Sequence, residues 1–139
     1  MSMPSQDVEI VYEVPAPEEY VAIRDRAGMS GKEVAAAEIG LRHSLHCVAL
    51  RKEGRLIGMG RVIGDGGCFF QVVDVVVDPD HQGRGLGKLI MSEINKYLNE
   101  HAPKSAYVSL IADVPADKLY QQFGFLYTAP KSLGMYKRY

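Results

Sequence analysis

Apolar and polar positions along this chain change period several times, and each change marks an element. Residues 8–14 alternate with period two and read as a first strand, closed by Pro15 and Pro17. Those prolines also open a helix whose first turn carries Glu18 and Glu19, whose inner face is Tyr20, Ile23 and Ala27, and which Gly28 stops. Ser30 and Glu33 have the spacing of a capping box, which predicts a second short helix over residues 31–41 with Val34, Ala37 and Leu41 inward.

Residues 46–50 and 56–63 read as two strands joined by a turn at Gly54, and the glycines from Gly64 to Gly67 turn the chain into a third. Gly58 and Gly60 interrupt a strand pattern, predicting a bulge or the close approach of another group. Residues 72–77 are valine except for Asp74, too apolar and too short for anything but a strand largely buried on both faces. Asp78 and Pro79 end it, because proline cannot donate to a ladder. Leu86, Leu89, Ile90, Ile94, Tyr97 and Leu98 then recur at helical spacing. Residues 106–111 alternate as a strand able to pair in parallel with 72–77, since a helical crossover separates the two. A short helix over 115–122, capped at Asp113 or Val114 and ended by Gly124, leads to a closing hairpin of 125–128 and 133–138 around Pro130.

Size and composition narrow the class. At 139 residues the chain reads as one domain, 1–139, with an ordinary globular mix of 47% hydrophobic and 24% charged residues. No apolar run is long enough for a membrane helix, and Met1 to Pro4 lack the regions of a signal peptide, so a cytoplasmic protein with no membrane association is expected. Cys47 and Cys68 lack metal-ligand or redox spacing and read as buried, reduced thiols, and no metal is expected. A net charge of −1 argues against a nucleic-acid surface. Residues 1–40 hold eight acidic and three basic side chains, and residues 41–139 nine and thirteen. That split suits an anionic ligand on the later part and a cationic one near the start, or else simply a solvated surface.

The candidate chemistry lies where strand 72–77 gives way to a helix. Gly83, Gly85 and Gly87 alternate there, letting backbone approach a ligand closely. The first amides of the helix have no intrahelical partner and sit at its positive end, which makes an anion site best suited to phosphate. A Walker loop is excluded by spacing and by the missing hydroxyl after Lys88, and a dinucleotide fingerprint fails at its third glycine.

Gln82, Gly85 and Gly87 do match the Gln/Arg-x-x-Gly-x-Gly/Ala pattern of the GCN5-related N-acetyltransferases, the GNAT family. Downstream, Ala116, Leu119, Tyr120, Gly124 and Phe125 fit that family's second signature, with Asp113 where it usually has asparagine. The chain thus resembles this family over two signatures separated by one helix and one strand. The resemblance implies an α/β fold with a mixed sheet of six to seven strands flanked by about four helices, strands 72–77 and 106–111 being parallel and then splayed. It implies acetyl-CoA as co-substrate, its pantetheine arm along the backbone of Val75, Val76 and Val77. Its pyrophosphate would lie on the backbone of Gln82, Gly83, Arg84, Gly85, Leu86, Gly87 and Lys88, Arg84 and Lys88 adding charge. Asp113 stands at a position that contacts the pantetheine or acetyl region.

By the same resemblance Tyr120 protonates the departing thiolate, as a phenol that is protonated at neutral pH can. The first two helices would wall the acceptor site and offer Tyr20, Arg24, Arg42 and His43. None of these has a spacing that specifies a ligand, so a surface or structural role is the stronger reading for each. Asp74, a carboxylate in an apolar run, is either the base that deprotonates the acceptor amine or the partner of a cation such as Arg61. Gln71, where some members carry a catalytic glutamate, cannot act as a base, so a water chain is the other option. The expected function is acetyl transfer to a primary amine of a small molecule. A peptide or protein amine, or a non-catalytic acyl-CoA sensor, are the alternatives. Exposed strands in the closing hairpin make a homodimer reasonable.

Overall fold

The computed structural model describes residues 7–139, so the opening Met1 to Pro4 lies outside the described residues. Five strands form one sheet in the order β1 (Val8–Val11), β2 (His46–Lys52), β3 (Arg55–Gly64), β4 (Phe69–Val77) and β5 (Tyr107–Leu110). All neighbours are antiparallel except β4 and β5, which run parallel through the crossover helix α3 (Leu86–His101). Helices α1 (Pro17–Arg26) and α2 (Val34–Arg42) cover one face of the sheet, and α3 with the short α4 (Asp117–Gln121) covers the other.

Two apolar layers result, and they explain the sequence pattern. On the α3 face Val48, Leu50, Ile57, Val62, Phe70 and Val72 meet Leu86, Ile90, Met91, Ile94 and Leu98. On the other face Cys47, Ala49, Leu56, Met59 and Val76 meet Tyr20, Ile23, Ala37 and Leu41. Val72 and Val76 are an even number apart yet face opposite ways, which a regular strand forbids. The reason is a bulge: Val73 pairs with Arg61 and Val76 with Met59, so Asp74 and Val75 together oppose Gly60. Asp74 takes φ of +58°, a left-handed backbone in mid-strand that costs a non-glycine residue about 1–3 kcal/mol.

Gly60 has its own reason to lack a side chain. A Cβ there would lie 2.7 Å from Ile90 and 2.8 Å from Ile94, so α3 approaches the sheet more closely than any side chain would allow. Both readings of the strand glycines, a bulge and a close approach, therefore hold at one position.

The structure corrects several expectations. Among the described residues the sheet has five strands, not six to seven, because residues 125–139 form no ladder. Leu133, Met135 and Tyr136 are exposed and have no face to bury, and alternation without a covered face does not make a strand. The first strand ends at Val11, not at position 14. Helix α2 begins at Val34, without the capping box, because Ser30 is engaged elsewhere: its carbonyl and hydroxyl accept from Arg24. Cys47 is buried but Cys68 is exposed, at the turn where Asp65 accepts from the amides of Gly67, Cys68 and Phe69.

Candidate functional site

β4 and β5 pair only from Phe69 with Tyr107 to Val72 with Leu110. Beyond that point β4 bulges and the strands part, opening a cleft of about 210 Å³ along Val73, Asp74, Val75, Val76 and Val77. Leu110, Ile111, Asp113, Ala116 and Tyr120 form its opposite wall, and Ala27 and Met29 close the α1 end. Through Val75, Val76, Val77, Gln82, Ala116 and Tyr120 it continues into a trough of about 270 Å³ floored by Gly83, Gly85, Leu86 and Gly87. The strand edge, the glycine loop and Tyr120 thus share one space.

The loop is built by local geometry. Asp78 caps a single 3₁₀ turn by accepting from the Asp80 amide at 3.0 Å, and Gln82 Nε2 donates back to the Val77 carbonyl at 3.0 Å. Gly83 and Gly85 have φ of +80° and +78°, and Gly85 is the N-cap of α3. The amides of Leu86, Gly87 and Lys88 head that helix, where no intrahelical acceptor exists. A Cβ at Gly83 or Gly85 would meet no protein atom, so the space in front of these amides is open to a ligand. Gln82, Gly83, Gly85, Leu86 and Gly87 line the trough; Arg84 and Lys88 are exposed and do not.

Tyr120 is buried in its ring, which meets Phe125 edge-on at 6.4 Å, and its hydroxyl makes no hydrogen bond to the described residues. Burial, and next the charge of Asp113, raise its pKa above the ordinary 10, so the phenol is held protonated. Asp113 is exposed at the cleft mouth, and its carboxylate has no hydrogen-bond or ion-pair partner among the described residues.

Asp74 has the opposite surroundings. Its side chain is 5% exposed and accepts from Tyr20 Oη at 2.9 Å to each oxygen, Arg24 Nη1 at 2.5 Å and Arg61 Nε at 2.8 Å. Of the two roles open to it, pairing with Arg61 is the one the geometry displays, and Arg24 and Tyr20 join the pair. These two residues of the expected acceptor wall turn their polar ends toward Asp74, and Tyr20, buried beside that carboxylate, has its pKa raised. Burial by itself would raise the pKa of Asp78, but the Asp80 amide and Arg26 outweigh it and hold the carboxyl below its ordinary range.

The profile of the acetyltransferase (GNAT) domain matches residues 18–133, well over half of the chain. The chain belongs to the GNAT acetyltransferase family. The crystal structure of SA2161, a protein of unknown function and probable acetyltransferase from meticillin-resistant Staphylococcus aureus, is 54% identical, with a TM-score of 0.92 over 95% of this chain and 99% of that one. The uncharacterized N-acetyltransferase ycf52 of Porphyra purpurea is 29% identical over 81% of this chain and 66% of its own length. The histone acetyltransferase TAP1 of Glycine max is 30% identical over 71% of this chain and 42% of its own. This chain therefore spans less than two thirds of these curated relatives. Among its described residues no helix is long and apolar enough to cross a membrane, and no three His, Cys, Asp or Glu side chains converge as a metal ion would need.

Sequence reasoning named Asp74 and Arg61 but missed Arg26 and Asp78. A second carboxylate four positions after Asp74, at the end of the same strand, was the available signal.

Proposed function

We propose that this protein is an acetyl-CoA-dependent N-acetyltransferase acting on a primary amine of a small molecule, by direct attack in a ternary complex. The observation that carries this reading is the stretch from Val75 to Val77, paired with β3 but not with β5, facing Tyr120 and running into the glycine loop within one cleft. Val75, Val76 and Val77 would hold the pantetheine arm, a chain of two amides that can lie along a strand edge. The backbone from Gln82 to Lys88 would hold the pyrophosphate, with Arg84 and Lys88 adding long-range charge from outside the trough. Coenzyme A when bound supplies the activated acyl thioester.

The remaining chemistry belongs to the chain. The Val76 amide would donate to the oxygen on which charge develops, a kind of stabilisation that is often the largest single contribution to catalysis. Attack of the neutral amine on the thioester carbon forms the nitrogen–carbon bond and puts charge on that oxygen. The carbon–sulfur bond then breaks, the amine's proton passes to water, the departing sulfur takes the proton of Tyr120, and Tyr120 regains one from solvent. Asp113, open at the mouth, suits a contact with the pantetheine or acetyl region and favours a cationic acceptor. The small cleft closed by Ala27 and Met29 supports a small amine. A protein amine is the second reading, favoured by the likeness to TAP1.

Two free thiols suit a reducing, cytoplasmic compartment. An open β5 edge, with Tyr107 and Ile111 exposed, supports a homodimer, which light scattering would test. The activity itself is tested by thiol release from acetyl-CoA against a panel of free amines and lysine peptides. Acceptor-dependent release with a free amine is the expected result. Binding of acetyl-CoA with no release for any acceptor would instead make the protein an acyl-CoA sensor.

A further inference from the structure

Asp74 is the one non-glycine residue with positive φ inside a strand of the described chain, since Glu53 and Ser105 lie between elements. Such a conformation persists only where the surroundings over-determine it, and here they do. Beyond Asp74, the guanidinium of Arg24 donates from Nε and Nη2 to the Ser30 carbonyl at 3.2 and 2.8 Å, and from Nη2 to Ser30 Oγ at 3.0 Å. Arg61 Nη1 donates to the Gly40 carbonyl at 3.2 Å and Ser44 Oγ at 2.9 Å. The carboxylate is thereby tied to α1, to the end of α2 and to β3 at once.

Four positions later the arrangement recurs. Asp78, 1% exposed, accepts from Arg26 Nε at 2.9 Å, and Arg26 Nη2 lies 2.7 Å away. Arg24 and Arg26 both belong to α1. Val75, Val76 and Val77, which line both the cleft and the trough, therefore hang between two carboxylates, each fastened to the same helix by an arginine.

We infer that Asp74 and Asp78 are paired positioning residues: with Arg24, Arg61 and Arg26 they hold β4 off β5 and aim the Val76 amide at the acyl carbonyl. This rests on the proposed acetyl transfer. Without the two fastenings the parallel ladder, which already joins Phe69–Val72 to β5, would be free to extend past Val72 and close the cleft. Both Asp74 oxygens are already engaged, so taking a proton from an acceptor would mean releasing a buried guanidinium.

The test is Asp74→Asn, compared with wild type in steady-state kinetics across pH and in isotope-edited infrared spectra of bound [¹³C-carbonyl]acetyl-CoA without acceptor. Turnover should fall about 10- to 100-fold, as a misaimed donor implies, with the KM for acetyl-CoA within about threefold. The acid limb of kcat/KM should stay in place, and the carbonyl band should move back toward that of the free thioester. Arg26→Gln should shift band and rate in the same direction by less. Loss of the acid limb with an unmoved band would make Asp74 the base and overturn the inference. A wild-type band identical to the free thioester's would instead overturn the oxyanion donor, and with it the purpose of the fastenings. If Asp74→Asn does not fold, Tyr20→Phe removes one donor and no charge: a smaller band shift in the same direction supports the inference, and an unmoved band with full turnover overturns it.

Discussion

The two ends of the cleft are made in different ways. The glycine-loop end is local: a 3₁₀ turn, two left-handed glycines and the first turn of α3 come from one stretch of chain, Pro79 to Lys88. The Asp74 end is assembled from afar. Tyr20, Arg24, Arg61 and Asp74 converge from α1, β3 and β4 across separations of up to 54 positions. The first end therefore tolerates changes elsewhere in the fold, while the second depends on the packing of three elements.

The largest effect tests the local end. Gly85→Glu should abolish acetyl-CoA binding in calorimetry, a loss above about 10²-fold, because a carboxylate would occupy the place of the phosphate. Gly85→Ala, sharing the left-handed strain of about 1 kcal/mol but not the charge, should keep most of the affinity. Equal losses in the two variants would show that backbone strain, and not charge, governs that end.

Tyr120→Phe comes next, lowering turnover by about 10²-fold with little change in affinity for acetyl-CoA, the usual scale for a proton donor. Full activity would move the donor elsewhere.

Asp78 joins the two ends and gives the comparison a pH dependence. Its folded pKa is depressed, so its contribution is complete above the unfolded value, near 3.9, and is lost as pH falls through the folded value. Asp78→Asn should therefore destabilise by about 1–3 kcal/mol at pH 7 and by progressively less below about pH 4, measured by urea unfolding. A constant difference at all pH values would remove Arg26 and the Asp80 amide as the cause.

Gly60→Ala should cost about 1–3 kcal/mol by pushing Ile90 and Ile94 away from the sheet opposite the bulge, with a fall in thermal midpoint and in turnover. The smallest effect is chemical. One thiol, Cys68, should label readily in the native protein, while Cys47, buried and pushed up to about 12, should label only on unfolding.

Local order decided what could be read in advance. The patterns of residues 46–63, 72–77 and 86–98 gave β2, β3, β4 and α3, because the strands are covered on both faces and the helix along one stripe. The glycine loop was equally legible, since its conformation depends on residues that are neighbours in sequence. Met91 escaped because helical spacing alone does not say how wide the buried stripe is. The closing hairpin was expected from alternation that no neighbouring face covers, and Ser30 from a capping spacing that Arg24 overrides.

The chain by itself determined a mixed α/β fold, the parallel pair around a crossover helix, and a loop of backbone amides suited to phosphate. These follow from periodicity and from residues close in sequence. Only the tertiary structure decided that Asp74 is enclosed by two guanidiniums and a phenol, that Asp78 mirrors it, and that β4 reverses its faces at the bulge. Those facts depend on which distant side chains meet, and a buried carboxylate takes its role from its neighbours in space.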